Sequence, residues 1–529
     1  MQPQFSYTAE LLLRTETTIK SMTNHYDAKQ ITHSFLHFIT GKVFTAISTL
    51  SILLLLARSL SKPEYAAYVT FEALTGLTGL LASFGINQTV LRYTAELRAS
   101  NNGLALYFLI RKAIISRAII FAFALLILTI LTPIIANFLG FSAHIHIFYL
   151  YMFAGWIGLI CALTGSIMET LLWQKSTQYT YAATAALRLL LIGSCYLFSN
   201  IDLLRLVSID IIYESMTLLV MLFGLYKNKK ADPNHNSGSL NWFSENRDRI
   251  KRYAIAGYGY SLSTLLYGSQ PNRAVSARYL STHSMGDFGF ADSLANLFNK
   301  FLPSNLLQGF LRPIYFVRYA ESKQIYHLER MANLIFRINL TIMSIVALTT
   351  ILYGQYILGI LTSGKYSGTV YLLAAMLGVL VLESLQNQHI LVCQTLENNH
   401  LLVYANIIRS CLLIAVIPLF VNIGAWAIVL ANTVGNLLAI YFVRIMLGRA
   451  HHAFKLDIKL IANSITSLIF AAAIGITLKQ NGYTILGGLA GLSLFITMNF
   501  IIRSYTDDEV IMLKNLLIKN SYKRGATHS

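Results

Sequence analysis

Charge is scarce in this chain: 12% of its 529 residues are Asp, Glu, Lys or Arg, about half the ~25% usual in a soluble domain. Apolar residues make up 55%, and mean hydropathy is +0.57. Surface-to-volume scaling leaves a water-soluble fold too little interior to hide that much apolar side chain. The bilayer is the solvent. Cysteine is rare as well. Cys161, Cys195, Cys393 and Cys411 all fall in apolar segments without Cys-x-x-Cys spacing, which argues against a disulfide framework or a cysteine metal site. Acid is scarcer than base, 23 residues against 41, for a formal charge of +18. That surplus does not mark a nucleic-acid binder, which needs a basic face on a soluble module; these cations occupy short loops between apolar runs. No P-loop is present, so this chain does not hydrolyse ATP. No nucleophile elbow or Cys/His dyad stands in a suitable context, and His451-His452 lacks the partners of a metal site. No cofactor and no enzymatic activity are expected.

What is abundant is membrane-length apolar text. A spanning helix needs about 20 mostly apolar residues. Fourteen candidates run 35–57, 66–91, 113–135, 146–172, 181–199, 205–226, 253–272, 285–310, 335–361, 368–393, 401–421, 424–447, 459–479 and 483–503. Assigning each cation to its nearer loop puts 31 Lys and Arg on the side of the N-terminus against 7 on the other, with Lys42, Lys300 and Arg409 inside spans. The excess marks the cytoplasmic side, and both termini lie there. Residues 1–34 are a polar cytoplasmic tail without the core of a cleavable signal peptide, and Met22 is an alternative start. Residues 35–226 form a first lobe of six spans, 227–252 a Pro/Gly/Asn/Ser-rich cytoplasmic linker, and 253–447 a second lobe of six. Two further spans lie in 448–503. The cytoplasmic tail 504–529 opens on a capping-box pattern at Thr506 and is read as a short surface helix.

The lobes share text. Ala57-Arg58-Ser59-Leu60-Ser61 matches Ala277-Arg278-Tyr279-Leu280-Ser281 at an offset of 220, and the same offset places Glu72 on Asp292. Arg92-Tyr93-Thr94-Ala95-Glu96 resembles Arg318-Tyr319-Ala320-Glu321 at an offset of 226. Six spans separate the copies, an even number, so both have the same orientation. A parallel repeat with a site between lobes is a recurrent transporter plan. Span eight carries Asp287, Asp292, Asn296, Asn299, Lys300, Asn305 and Gln308, a set that lipid would not tolerate. Spans one, two and seven are also polar, so these four are the candidates to line a wet cavity.

The run LLLLARSLSKPEYAAYVTFEALTGLTGLLASFGINQTVLRYTAE, Leu53 to Glu96, resembles the opening of bacterial oligosaccharide-lipid flippases of the multidrug/oligosaccharidyl-lipid/polysaccharide exporter superfamily. That group follows span one with an Ala-Arg-x-Leu-Gly-Pro-x-x-Tyr-Gly pattern. The chain keeps Ala57, Arg58, Leu60, Pro63, Tyr65, Gly85, Arg92 and Tyr93, and departs at Ser61 and Ala66, where glycine is usual. The resemblance implies an all-α polytopic membrane protein: about fourteen transmembrane helices, two six-helix lobes in parallel repeat around a central cavity, and two C-terminal helices. It further implies alternating access that carries a polyprenyl-diphosphate-linked oligosaccharide across the bacterial inner membrane for surface polysaccharide such as lipopolysaccharide O-antigen. The partners implied are that lipid-linked oligosaccharide, membrane lipids, a coupling proton or sodium ion, and polysaccharide polymerase machinery. Two rivals from the same superfamily are a cation/proton-coupled multidrug antiporter and a peptidoglycan-precursor flippase; a membrane glycosyltransferase is a third, from another class.

Lys42 and Lys300 are the cations expected to neutralise the diphosphate, helped by Arg58, Arg273 and Arg278 at the outer mouth. Other readings stay open: Lys42 snorkels to the cytoplasmic face, Lys300 pairs with Asp292 or Asp287, and Arg58 and Arg278 anchor helix ends. Glu72 and Asp292 are matched acids for ion coupling or for gating against Arg58 or Arg278. Asp210 and Glu214 share one face of span six, and Glu383 with Arg409 forms a bundle-internal pair. Tyr258, Tyr260 and Tyr267 serve packing or stack on sugar rings. An orientation test follows: alkaline phosphatase joined after Leu60 is active outside the cytoplasm, and joined after Asn101 it is inactive. The reverse pattern inverts the topology.

Overall fold

The computed structural model describes residues 28–198, 200–306, 325–396, 398–449, 458–481 and 484–501. The expected N-terminal tail, Met22, Gln308, the Arg318–Glu321 copy, His451-His452 and the surface helix from Thr506 lie outside the described residues. The described chain is helical throughout. In order, the helices are α1 (Ala28–Ser59), α2 (Lys62–Leu81), α3 (Ile86–Ala99), α4 (Gly103–Leu139), α5 (Ile145–Thr170), α6 (Gln174–Phe198) and α7 (Leu203–Ala231). Then come α8 (Arg247–Ser263), α9 (Ser269–Tyr279), α10 (Thr282–Phe301), α11 (Ile325–Leu361), α12 (Val370–Thr395), α13 (Asn399–Ala415), α14 (Trp426–Arg449), α15 (Ile458–Gln480) and α16 (Thr484–Ile501). The protein is an all-α, multi-pass membrane protein. Among the described residues, ten helices are long and apolar enough to cross a bilayer, eleven if the bent pair α2–α3 is one span. The expected spans seven and eight fall short because they are polar and broken: seven is α8 plus α9, and eight is α10 followed by the short helix Pro303–Leu306. The last expected span appears as a shorter apolar stretch, Ile485–Asn499.

Local chemistry sets the helix ends. Ser61 caps α2 through the Glu64 amide while the Glu64 carboxylate accepts from the Ser61 amide, with Pro63 in the first turn. Asn102 caps α4 and Asp202 caps α7. Gly140 closes α4 at φ 77°, the left-handed region that glycine occupies without strain. Thr70, Thr75 and Thr78 return their hydroxyls to carbonyls four residues back, at 2.8 Å each, so their polarity costs α2 little in an apolar setting.

One compact unit ends at Gly289 and a second begins at Phe290. In the first, α1 packs on α6, α5 on α7, α4 on α5, α8 on α3 and α9 on α2. In the second, α11 packs on α12, α13 on α14, α12 on α14, and α15 with α16 on α11. Helix lengths recur between them. The 20-residue α2 matches the 20-residue α10, and α5 and α12 both have 26 residues, each preceded by a three-residue 3-10 turn.

The expected linker 227–252 is a fastened strap. Residues up to Ala231 extend α7, and the following backbone lies across the start of α4. The Leu104 amide donates to the Ser237 carbonyl at 2.9 Å, the Asn102 amide side chain to Ser239 at 3.1 Å, and the Tyr107 hydroxyl to Asp232 at 2.8 Å. Trp242 and Phe243 then seat against a buried cluster that includes Val90, Tyr93, Leu97, Leu106 and Ile110. Arg249 closes the strap with a bidentate bond to Glu96 at 2.7 and 2.8 Å, and that carboxylate raises the guanidinium further above its usual value. Close approach demands glycine at position 103, because a Cβ there would lie 1.9 Å from the Asn234 carbonyl oxygen. Gly103→Val therefore lifts the strap: limited proteolysis of the detergent-solubilised protein cleaves between 232 and 246 at least several-fold faster than in the parent. Equal cleavage would mean the strap is held elsewhere.

Candidate functional site

In the first unit, charged side chains join α2 to α9 and to the start of α10. Glu72, on α2, accepts from Arg273 Nη1 on α9 at 2.5 Å. Arg273 is only 5% exposed, so its charge requires that partner. The neighbouring turn is close-packed, since a Cβ on Gly76 would meet the Gln270 side chain at 2.9 Å. At the start of α2, Lys62 Nζ lies 2.6 Å from Asp287 Oδ1 on α10. Gly286 lets the α10 backbone rest on the Lys62 carbonyl, where a Cβ would come within 2.8 Å. Base on α2 meets acid on α10, and acid on α2 meets base on α9.

One turn from Glu72 a second network starts. Tyr68 Oη donates to Asp210 Oδ2 at 3.0 Å and accepts from Arg188 Nη2 at 2.9 Å, while Arg188 also bonds Asp210 Oδ1 through Nε at 2.8 Å and Nη2 at 2.7 Å. Arg188 lies over the Tyr213 ring at 5.3 Å, and Tyr151 meets Tyr68 edge-on at 5.7 Å. Glu72, Asp210 and Glu214 all act electrostatically on Tyr151, so three carboxylates and one arginine share this interior. The Glu214 carboxylate lies beside Gly158, where a Cβ would come within 3.1 Å of it, and its backbone carbonyl accepts from Cys161 Sγ at 3.4 Å. The i, i+4 face of Asp210 and Glu214 does point inwards.

In the second unit the polar residues of span eight gather around the break after Phe301. Asn305 donates to the Asn299 carbonyl at 2.8 Å, Asn387 to Asn305 Oδ1 at 2.8 Å, and Asn299 to Glu383 at 3.3 Å. The Ser304 amide donates to Asn339 Oδ1 at 3.3 Å, and Asn339 in turn donates to Ser384 at 2.7 Å. Asp292 is buried and accepts from Asn296 Nδ2, on its own helix, at 2.9 Å. Arg409 is buried beside Asn406 at 3.4 Å.

The expected cations are thus distributed unevenly. Lys42 is half-buried on α1, its ammonium 5.4 Å from the Phe38 ring, and it acts electrostatically on Glu169, which accepts from Gln178 at 2.7 Å. Arg58 is exposed in the last turn of α1, and Lys300 is exposed in the last turn of α10. Arg278 bonds the Phe138 carbonyl at 3.1 Å and lies over that ring at 4.5 Å, the geometry of a helix-end anchor. Among the expected acids, Glu72 takes Arg273 in place of Arg58 or Arg278, and Asp287 takes Lys62 in place of Lys300. Tyr258 bonds the Leu81 carbonyl at 2.9 Å and stacks on Phe84 at 5.0 Å, which is packing. Tyr260 and Tyr267 are half-buried. Arg117, Arg188 and Arg337 were not foreseen as interior residues, because counting loops assigns them to the cytoplasm; Arg117 and Arg337 are 2% and 4% exposed. A signal was present: they are 220 residues apart, the offset of the repeat. Among the described residues no cluster of His, Cys, Asp and Glu is placed to hold a metal ion.

The chain matches no protein-family model and no curated protein in sequence. Its fold is similar to that of solved transporters. An inward-facing multidrug resistance MATE family transporter of the MOP superfamily aligns with a TM-score of 0.62 at 14% identity, over 78% of this chain and 98% of that one. The lipid II flippase MurJ in an inward closed conformation aligns at 0.57 and 12% identity, over 88% and 98%. A mutant of the Vibrio cholerae MATE transporter VcmN aligns at 0.57 and 17% identity, over 82% and 98%. These likenesses establish the fold.

The buried pair gives a stability test. Arg188→Met leaves Asp210 charged and uncompensated and costs about 3–5 kcal/mol, whereas Arg188→Met with Asp210→Asn costs roughly half of that or less. Thermal unfolding in detergent reads both. A double variant as unstable as the single would show the two residues are not coupled.

Proposed function

We propose that this protein is an alternating-access transporter that carries a polyprenyl-diphosphate-linked oligosaccharide from the inner to the outer leaflet of the bacterial inner membrane. The carrying observation is the pair of ion pairs that tie α2 to α9 and α10: Lys62–Asp287 at the start of α2, the end that the cation count assigns to the outside, and Glu72–Arg273 at its middle. Such pairs close an outer mouth by contacts that can be made and broken as units. Support comes from the fold, shared with MurJ in an inward closed conformation and with an inward-facing MATE transporter. An anionic cargo is favoured by the lysines of the polar spans. A diphosphate headgroup cannot enter hydrocarbon unaided, since each unsatisfied polar group costs several kcal/mol.

On this reading Lys42 and Lys300 meet the diphosphate, and Arg58 and Arg278 assist at the outer mouth. Arg273 becomes available to phosphate only when Glu72 releases it. Glu72 and Asp292 are the gating or ion-coupling acids, with a proton or sodium ion as the coupling species. The released product feeds polysaccharide polymerase machinery. The MATE neighbours favour a second reading, a cation-coupled multidrug antiporter, and MurJ favours a third, a peptidoglycan-precursor flippase.

Loss of the gene separates them. Lipid-linked oligosaccharide accumulates on the inner leaflet and surface polysaccharide falls, with drug susceptibility and peptidoglycan synthesis unchanged. Lys42→Ala with Lys300→Ala fails to restore surface polysaccharide while reaching wild-type levels in the membrane. Unchanged surface polysaccharide in the deletion refutes the reading.

A further inference from the structure

Span two is a broken helix pair. α2 ends at Leu81, α3 begins at Ile86, and their axes differ by 62°. Phe84 and Gly85 between them are left-handed, at φ 43° and 69°. A helix broken inside a bilayer exposes carbonyls that water cannot reach, so something else must satisfy them. Here every carbonyl from Thr78 to Ser83 is bonded. Thr78 accepts from the Ala82 amide at 2.9 Å, Leu80 from the Ser83 amide at 3.1 Å and Ser83 from the Ile86 amide at 2.9 Å. Leu81 accepts from Tyr258 at 2.9 Å. The remaining two, Gly79 and Ala82, take the two ends of one guanidinium: Arg117 Nη2 at 2.8 Å and Nη1 at 2.6 Å.

The break is not a vacant ligand site. Its carbonyls are filled, and the α3 N-terminus lies against α8, where a Cβ on Gly85 would come within 2.0 Å of the Ala254 carbonyl oxygen. Arg117 nonetheless enters the interior as a 2%-exposed cation on α4 with no carboxylate bonded to it in this network. A residue that only packs would not carry a charge there. The fork of Arg suits two carbonyls on successive turns, a reach that a single ammonium lacks.

The repeat supplies an independent observation. Moving 220 residues from Ala82 reaches Leu302, where span eight is also interrupted, between α10 and Pro303–Leu306. That break too is capped from the following long helix, by Asn339 of α11 on the Ser304 amide, and by Asn305 on the Asn299 carbonyl. Breaks at equivalent positions, capped by polar side chains of the next long helix, are a built feature of both copies.

We propose that Arg117 is a positioning residue for transport: it holds span two broken, so that α2, carrying Glu72 and Lys62, can lean independently of α3. Without the guanidinium, the Gly79 and Ala82 carbonyls lose their donor, and the chain supplies backbone amides in its place by continuing the helix through the break. The inference rests on the transport reading only for its export readout.

The test uses the full chain in lipid nanodiscs, spin-labelled at Pro63→Cys and Ala95→Cys and read by pulsed dipolar spectroscopy. At a rise of ~1.5 Å per residue, straightening the 62° bend lengthens this distance by roughly 6 Å. Arg117→Met is expected to lengthen it so, Arg117→Lys by less, and Arg111→Met, an exposed cation on the same helix, not at all. Restoration of surface polysaccharide falls at least ten-fold in Arg117→Met and is partly recovered in Arg117→Lys. An unchanged distance in Arg117→Met overturns the proposal, and so does a lengthened distance with undiminished export where deletion of the gene does lower surface polysaccharide. If Arg117→Met does not accumulate, Arg117→Lys and Arg117→Gln decide by the same distances, with parental values in both overturning it. A lengthened distance with surface polysaccharide unchanged in the deletion as well keeps the hinge and refutes the cargo reading instead.

Discussion

Hydrocarbon offers no hydrogen bonds, so each polar group placed in it must find its partner within the chain. That requirement organises what the helices hold. In α2 it is met locally, by threonine hydroxyls folding back on the preceding turn. Where the helix stops, it is met from outside, by Arg117 and Tyr258. Where charge is buried, it is met by reciprocal pairing: Arg188 spends its donors on Asp210 and the Tyr68 oxygen, and Asp210 accepts from both. Around the second break, asparagines serve because an amide can donate and accept at once.

This requirement also explains which features were legible beforehand. Hydropathy averages over some twenty residues, so it finds α4 or α12 with ease and passes over a two-residue kink such as Phe84–Gly85. Spans seven and eight were identifiable because of their polarity, yet that same polarity is why they are interrupted helices. The α2 cap was readable because Ser61-x-x-Glu64 is a local signal. The partner of Glu72 was not, because pairing across helices depends on where the break in span seven places α9. Arg117, Arg188 and Arg337 escaped for a related reason: the positive-inside rule treats a cation near a helix end as a loop residue. The 220-residue offset links Arg117 to Arg337, but it also links Arg58 to Arg278, so it marks the repeat without telling interior arginines from topological ones.

The strap modifies the domain organisation read from composition. Pro, Gly and Asn suggested a loose connection at 227–252, but these residues make tight turns as well as flexible ones. Trp242 and Phe243 carry the decisive information, since two large aromatics in a polar connecting segment need a surface to bury against. Fastened by the strap and by Arg249–Glu96, α8 belongs to the compact unit that ends at Gly289.

On the proposed transport reading, the chain must also avoid being too stable in any one state. Reversible switching needs conformations separated by only a few kcal/mol. The two outer ion pairs suit that need because neither is sealed from solvent on both sides: Glu72 retains 34% side-chain exposure opposite its buried arginine, and Lys62 and Asp287 retain 22% and 34%. Lys62–Asp287, accessible on both sides, contributes at most about 1 kcal/mol, because water competes for each charge. Arg188–Asp210, at 18% and 7%, is less accessible and has no such freedom. On that reading the pairs with a half-exposed carboxylate are the ones that part, while Asp210, at 7%, stays bound to Arg188 and joins α6 to α7. Close packing at Gly76, Gly286 and Gly289 adds to the contact of α2 with α9 and α10 through dispersion, which vanishes within an ångström or two of separation.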